Sequence, residues 1–212
     1  HTGEGHISRV VYNNRRQPTE FVDPLGHAVT NTYDGRGLLV RIANSLGEAT
    51  TYGYSSTYKL SAQTNADGGV LSMVYDSRDL PCLINDPMGH GWTNYYDAAG
   101  RLIRTADPLG HETLYAYTPN GWLVAVTNAL GQFMRYAYDS KGQLVHMADS
   151  AGATETRVYD ASGRLSASSD AEGFTTQYRY NQLGWLTQLV HADGTTENFD
   201  YDANGLFNAY TD

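Results

Sequence analysis

The stretch Tyr96–Tyr117, YDAAGRLIRTADPLGHETLYAY, holds two turn signals, two short runs of alternating side chains and a tyrosine at each end. Steps of 21 residues from Tyr96 land on Tyr117, Tyr138, Tyr159, Tyr180 and Tyr201 in one direction, and on Tyr75, Tyr54, Tyr33 and Tyr12 in the other. Ten tyrosines in phase mark an internal repeat, and a fixed period outranks every other sequence signal in deciding a fold.

Glycine follows each of the first nine tyrosines at the same distance: Gly26, Gly47, Gly68, Gly89, Gly110, Gly131, Gly152, Gly173 and Gly194. Uniformity of this kind points to backbone with positive φ, which glycine enters without steric cost. Three residues earlier stands Asp23, Asn44, Asn65, Asp86, Asp107, Asn128, Asp149 or Asp170, with His191 as the exception. Asx first, proline second (Pro24, Pro87, Pro108) and glycine fourth describe a turn with a mechanism. A second turn follows the tyrosine itself, as in Asp97–Gly100, Asp139–Gly142 and Asp160–Gly163.

Between such turns there is room for a strand and not for an ordinary helix, so each repeat is predicted to be an antiparallel β-hairpin. Tyrosine and the leucines Leu39, Leu60, Leu102, Leu123, Leu144, Leu165 and Leu186 are predicted to be its two buried pegs. An odd repeat length is informative because strand side chains alternate faces. Successive tyrosines share a face only if the two loops differ by an odd number of residues or each unit carries a bulge. One solution closes the Asp-x-x-Gly turn over three residues with a glycine bulge and the Asp-Pro-Leu-Gly loop over four, and successive units then slip by two residues. Pro18 and Pro81 replace the usual leucine, and local distortion or a sheet edge is expected there. The predicted fold is all-β: one array over residues 1–212 whose sheet, too long to stay flat, should wrap. Gly5, His6 and Asp212 fall in phase with other repeats, so the chain reads as beginning and stopping inside repeats, with more array expected beyond.

Bulk properties exclude several classes. A net charge of −9 argues against nucleic acid as a partner. Cys82 is the only cysteine, which rules out an intrachain disulfide and a cysteine zinc site. No apolar run is long enough for a membrane-spanning helix, and the first residues lack the pattern of a signal peptide.

The composite GRLxxxxDPLGxxTxYxYDxxG, clearest from Gly100 to Gly121 and weaker up to Gly205, resembles the Rhs/YD-repeat family. This family includes bacterial Rhs polymorphic toxins, the cocoon-forming subunits of Tc toxin complexes, and teneurins. The resemblance implies a spiralling sheet that closes into a hollow shell, with a C-terminal toxic polypeptide enclosed in the toxins. It implies as partners the rest of the same shell and that enclosed toxin, and a secreted or cell-surface location. Rhs proteins that release their toxin use Asp-Pro-x-Gly motifs for self-cleavage. Asp86–Gly89 and Asp107–Gly110 match those letters but sit in ordinary repeat phase, so the role is not carried over.

Chemistry is sparse by comparison. The aspartates recur at turn positions that their backbone-capping role already explains. His27, His90 and His111 follow turn glycines, but equivalent residues of consecutive hairpins lie roughly 10 Å apart, too far to share a metal. No nucleophile elbow or phosphate-cradling loop is present. The expectation is therefore no enzyme, no cofactor and no metal. Trp122 and Trp185 stand where Arg101 and Arg164 stand in other repeats, and are the candidates for contact with sugar rings. The sequence favours a structural segment of a toxin-enclosing shell, with a surface glycan- or cell-recognition array as the rival.

Overall fold

The computed structural model describes residues 8–211, so Gly5, His6 and Asp212 lie outside the described residues. The chain forms two compact units, residues 1–110 and 111–212. The first holds β1 (Arg9–Tyr12), β2 (Pro18–Val22), β3 (Ala28–Tyr33), β4 (Leu39–Asn44), β5 (Ala49–Tyr54), β6 (Leu60–Thr64), β7 (Val70–Tyr75), β8 (Pro81–Asn85), β9 (Gly91–Tyr96) and β10 (Leu102–Ala106). The second holds β11 (Glu112–Tyr117), β12 (Leu123–Thr127), β13 (Phe133–Tyr138), β14 (Leu144–Asp149), β15 (Thr154–Tyr159), β16 (Leu165–Ser169), β17 (Thr175–Tyr180), β18 (Leu186–Val190), β19 (Thr196–Tyr201) and β20 (Phe207–Thr211). Within each unit consecutive strands pair antiparallel, and the described residues contain no helix. The fold is the predicted all-β array of hairpins.

Both loops of the repeat close in the same way, contrary to the expectation that the Asp-Pro-Leu-Gly loop spans four residues. At Asp97–Arg101 the Gly100 amide donates to the Asp97 carbonyl at 3.0 Å and the Asp97 amide to Arg101 at 3.0 Å. At Asp86–His90 the Gly89 amide donates to Asp86 at 3.0 Å and the Asp86 amide to His90 at 2.9 Å. Parity is restored by the other route, one bulge per hairpin. In β13–β14, Ala137 faces His146 but Tyr138 faces Leu144, so one step on the first strand matches two on the second. The bulge puts tyrosine and leucine on the same face, and the two-residue slip follows. Met147 faces Tyr136 on one side and Glu155 on the other, although the repeat-equivalent of Tyr136 is Arg157.

Ladders between hairpins are shorter than those within them. The β14–β15 pairing runs from Ala148↔Thr154 to His146↔Thr156 and stops, leaving Leu144 and Tyr159 beyond its end. The same truncation recurs at β4–β5, where Arg41↔Thr51 is the last pair. Strands of adjacent hairpins therefore part company at the tyrosine end.

The prolines cause neither distortion nor an edge. Pro81 opens β8, faces Tyr75 in the bulge position and leaves β8 paired to both β7 and β9. Pro18 does the same opposite Tyr12. First-strand position is where a missing amide is tolerated.

Each unit is a single layer, and among the described residues only Ala43 is buried, at 4% exposure. The tyrosine and leucine pegs are half-buried instead of buried, because no second layer covers them; Tyr12, on β1, is 59% exposed. The leucine or methionine at the third turn position stands in solvent at Leu25, Leu46, Met88, Leu109 and Leu130, between 75% and 84% exposed.

Gly100 shows why the turn glycine recurs: its φ is +80°. Arg16, Tyr58 and Asp79 occupy the same turn position in their hairpins and adopt φ of 59°, 68° and 62°. The ladder imposes the left-handed conformation even on side chains that resist it, at a strain of about 1–2 kcal/mol. Arg16→Gly should therefore strengthen the β1–β2 hairpin by about 1 kcal/mol. Amide hydrogen exchange of β1 and β2 measures this, with protection rising about fivefold for that energy.

Candidate functional site: a tyrosine clamp between hairpins

The gap at the end of each inter-hairpin ladder is filled by tyrosine. Its hydroxyl donates to the carbonyl of the leucine-position residue one hairpin back: Tyr33 to Pro18 at 2.9 Å, Tyr54 to Leu39 at 2.8 Å and Tyr75 to Leu60 at 2.7 Å. Tyr96 reaches Pro81 at 2.9 Å, Tyr138 reaches Leu123 at 2.9 Å, Tyr159 reaches Leu144 at 2.9 Å and Tyr180 reaches Leu165 at 2.8 Å. The acceptor stands two residues past the last ladder pair, so a side-chain hydroxyl replaces an amide that the two-residue slip has moved out of reach. Burial pushes the phenols of Tyr96 and Tyr180 above the usual tyrosine range, with a hydrogen bond from Asn94 and the Arg164 charge respectively opposing it.

The ring is covered from the preceding hairpin by the residue that follows the turn glycine. Trp122 packs on Tyr138 with centroids 5.5 Å apart, Trp185 on Tyr201 at 5.4 Å, and the Arg164 guanidinium lies 4.7 Å from the Tyr180 ring centre. The same side chains press on the next turn. A Cβ at Gly142 would stand 2.7 Å from the Trp122 ring, and one at Gly205 2.6 Å from Trp185. Where glutamine takes this place it donates to the next turn, Gln17 to the Gly37 carbonyl and Gln143 to the Gly163 carbonyl, each at 2.8 Å. The indoles of Trp122 and Trp185 are thus half-buried and engaged inside the array.

The turn aspartates are held by their own loops. Asp23 Oδ1 accepts the Leu25 amide at 2.8 Å and the His27 amide at 2.9 Å, and Asp86 Oδ1 accepts those of Met88 and His90 at 2.8 and 2.9 Å. Nδ1 of His27 and of His90 lies 2.9 Å from the second oxygen of the same aspartate, so these histidines serve their own turns. Hydrogen bonds from those histidines hold the Asp23 and Asp86 carboxyls below their ordinary range. Asp34, Asp76, Asp97 and Asp160 are lowered chiefly by the backbone amides of Leu38, Leu80, Arg101 and Arg164. At His191 the turn survives without an Asx: Asp193 takes the Thr195 amide at 2.9 Å, and His191 Nε2 lies 2.7 Å from Glu197. Among the described residues no three His, Cys, Asp or Glu side chains converge to hold a metal.

A slipped, bulged hairpin array fastened by tyrosine hydroxyls defines a class of repeat protein. A model of the RHS repeat matches residues 33–70, 96–132, 117–154 and 159–196, more than half of the sequence, and the chain belongs to the RHS repeat family. Among solved structures, the crystal structure of TcdB2-TccC3 without its hypervariable C-terminal region is similar over 94% of this chain and 16% of its own, with 14% identity and a TM-score of 0.63. The Photorhabdus luminescens Tc holotoxin pore is similar over 92% of this chain and 15% of its own, with 14% identity and a TM-score of 0.62. The likeness is one of fold, and the chain spans under a fifth of those chains' length. No curated protein matches the sequence.

Repetition made the tyrosines and turn glycines visible in sequence, whereas the acceptor of the hydroxyl was not: a carbonyl leaves no trace in residue identity. Tyr138→Phe should cost about 1 kcal/mol by leaving the Leu123 carbonyl without this donor. Tyr201→Phe should be near neutral, since the Tyr201 hydroxyl makes no such bond among the described residues. Urea unfolding of both variants makes the comparison. The depressed carboxylates contribute stability that is present above their unfolded pKa, about 4, and lost as pH falls through the lower folded values. Melting temperature should therefore drop on acidification below about pH 4, and less steeply in Asp97→Asn.

Proposed function

We propose that this chain is a non-enzymatic stretch of wall in an RHS-type β-shell that sequesters a toxin polypeptide for delivery. The observation that carries this reading is the absence of a core: among the described residues a single alanine is buried, and both faces of each unit are lined by half-exposed side chains. Such a sheet divides two spaces, whereas an enzyme of this size would use a packed interior to hold a reactive pocket. Membership of the RHS repeat family and the likeness in fold to TcdB2-TccC3 support the same reading.

In this account the two units are stretches of one array over residues 1–212, and the ten tyrosines and nine turn glycines are its structural residues. Its partners are the remainder of the shell and the enclosed cargo, and its location is secreted or at the cell surface. Asp86 and Asp107 are turn residues in this reading; each accepts the amide two residues on, at 2.8 and 2.9 Å. Electron microscopy of the full-length protein tests the proposal: a hollow container is expected, and a solid rod or a compact globule would overturn it.

A further inference from the structure

The hairpin β15–β16 breaks the pattern of its face. Two residues before the tyrosine, where neighbouring hairpins carry Tyr136 and Tyr178, stands Arg157, and opposite it, in the place of Met147 and Leu189, stands Ser168. Replacing a long apolar side chain by serine removes volume from a face that has no second layer to fill it. An open notch of ≈ 340 Å³, one of several hollows along the sheet, lies over this hairpin and falls within the size range of small-ligand clefts. It is lined by Glu155, Arg157, Tyr159, Ser168, Asp170 and Tyr178 among others.

The chemistry of this lining is specific. Arg157 is half-buried, and its guanidinium has no hydrogen-bond or ion-pair partner among the described residues. Ser168 Oγ and the Tyr178 hydroxyl lie 3.1 Å apart, so each keeps further hydrogen-bonding capacity toward the notch. The Glu155 carboxylate is likewise unpartnered among the described residues. A guanidinium that lacks a partner where the adjacent hairpins place the tyrosines Tyr136 and Tyr178 is not explained by the packing of the array.

We infer that this notch is a carbohydrate-binding subsite. A simple anion is disfavoured because Glu155 and Asp170 flank the one cation, and a simple cation is disfavoured by Arg157. A neutral polyol suits both signs: Arg157 and the hydroxyls donate to sugar oxygens, Glu155 accepts from sugar hydroxyls, and the rings of Tyr159 and Tyr178 offer apolar surface to the sugar's C–H face. This site is separate from Trp122 and Trp185, whose indoles pack on Tyr138 and Tyr201. The inference does not depend on whether the array encloses a cargo.

The test uses a printed array of neutral oligosaccharides, followed by titration of the tightest binder, with hexaglutamate peptide as the acidic control. Arg157→Tyr with Ser168→Met restores the face of the neighbouring hairpins, so the melting temperature should hold or rise while sugar affinity falls about tenfold or more. Amide shifts in the unmodified protein on adding the sugar should cluster at Tyr159, Ser168 and Tyr178, a readout independent of how the double variant folds. The inference is overturned if the folded protein retains no sugar, if the double variant binds as well as the parent, if the shifts centre on Trp122 or Trp185, or if hexaglutamate outcompetes the sugars.

Discussion

Everything in this molecule depends on one hydrogen bond made repeatedly, from a tyrosine hydroxyl to a main-chain carbonyl of the hairpin before it. A sheet whose units slip by two residues cannot keep full ladders between them, because the strands run out of register at one end. The orphaned carbonyl there would be half-desolvated and unsatisfied, which is expensive in a sheet. Tyrosine suits the position because its ring spans the gap opened between diverging strands while its hydroxyl reaches the acceptor, 2.7 to 2.9 Å away in the seven such bonds from Tyr33 to Tyr180. Phenylalanine would fill the gap without the bond, and serine would lack the reach.

The bulge, the slip and the tyrosine are one device. With equal loops and an odd repeat, tyrosines would alternate faces; the bulge beside Leu144 and its equivalents cancels the flip and leaves the slip. The slip then places the tyrosine past the ladder's end, where in seven hairpins, from Tyr33 to Tyr180, it clamps the carbonyl behind it. The residue after the turn glycine or its equivalent completes the joint from above as tryptophan at Trp122 and Trp185, arginine at Arg164 and glutamine at Gln17 and Gln143, and elsewhere the position holds leucine, lysine or, at Arg101, a second arginine. This tolerance for different side chains explains why the position looks irregular in sequence although its place in space is constant.

Legibility followed repetition. Strand positions and both turns could be read from spacing alone, whereas the shared face of tyrosine and leucine and the two-residue slip, expected from unequal loops, arise instead from the bulge. The loop that was expected to differ, Asp-Pro-Leu-Gly, does not differ, because a bulge within a strand leaves no fixed residue type to betray it. Pro18 and Pro81 misled for a related reason: proline harms a strand only where its amide is needed, and the bulge position needs none. The pegs were expected to be buried because apolar periodicity ordinarily implies a core, yet a single-layered sheet exposes part of both faces. Arg157 and Ser168 were legible in principle as departures from the repeat, but departures gain meaning only once the face they share is known.

The most direct measurement of the central claim is the exchange rate of tyrosine hydroxyl protons, read from deuterium isotope shifts in protein labelled at the ring carbon bearing the hydroxyl. The account predicts slowed exchange at Tyr33, Tyr54, Tyr75, Tyr96, Tyr138, Tyr159 and Tyr180, and fast exchange at the exposed Tyr12. Uniformly fast exchange across those seven would contradict it.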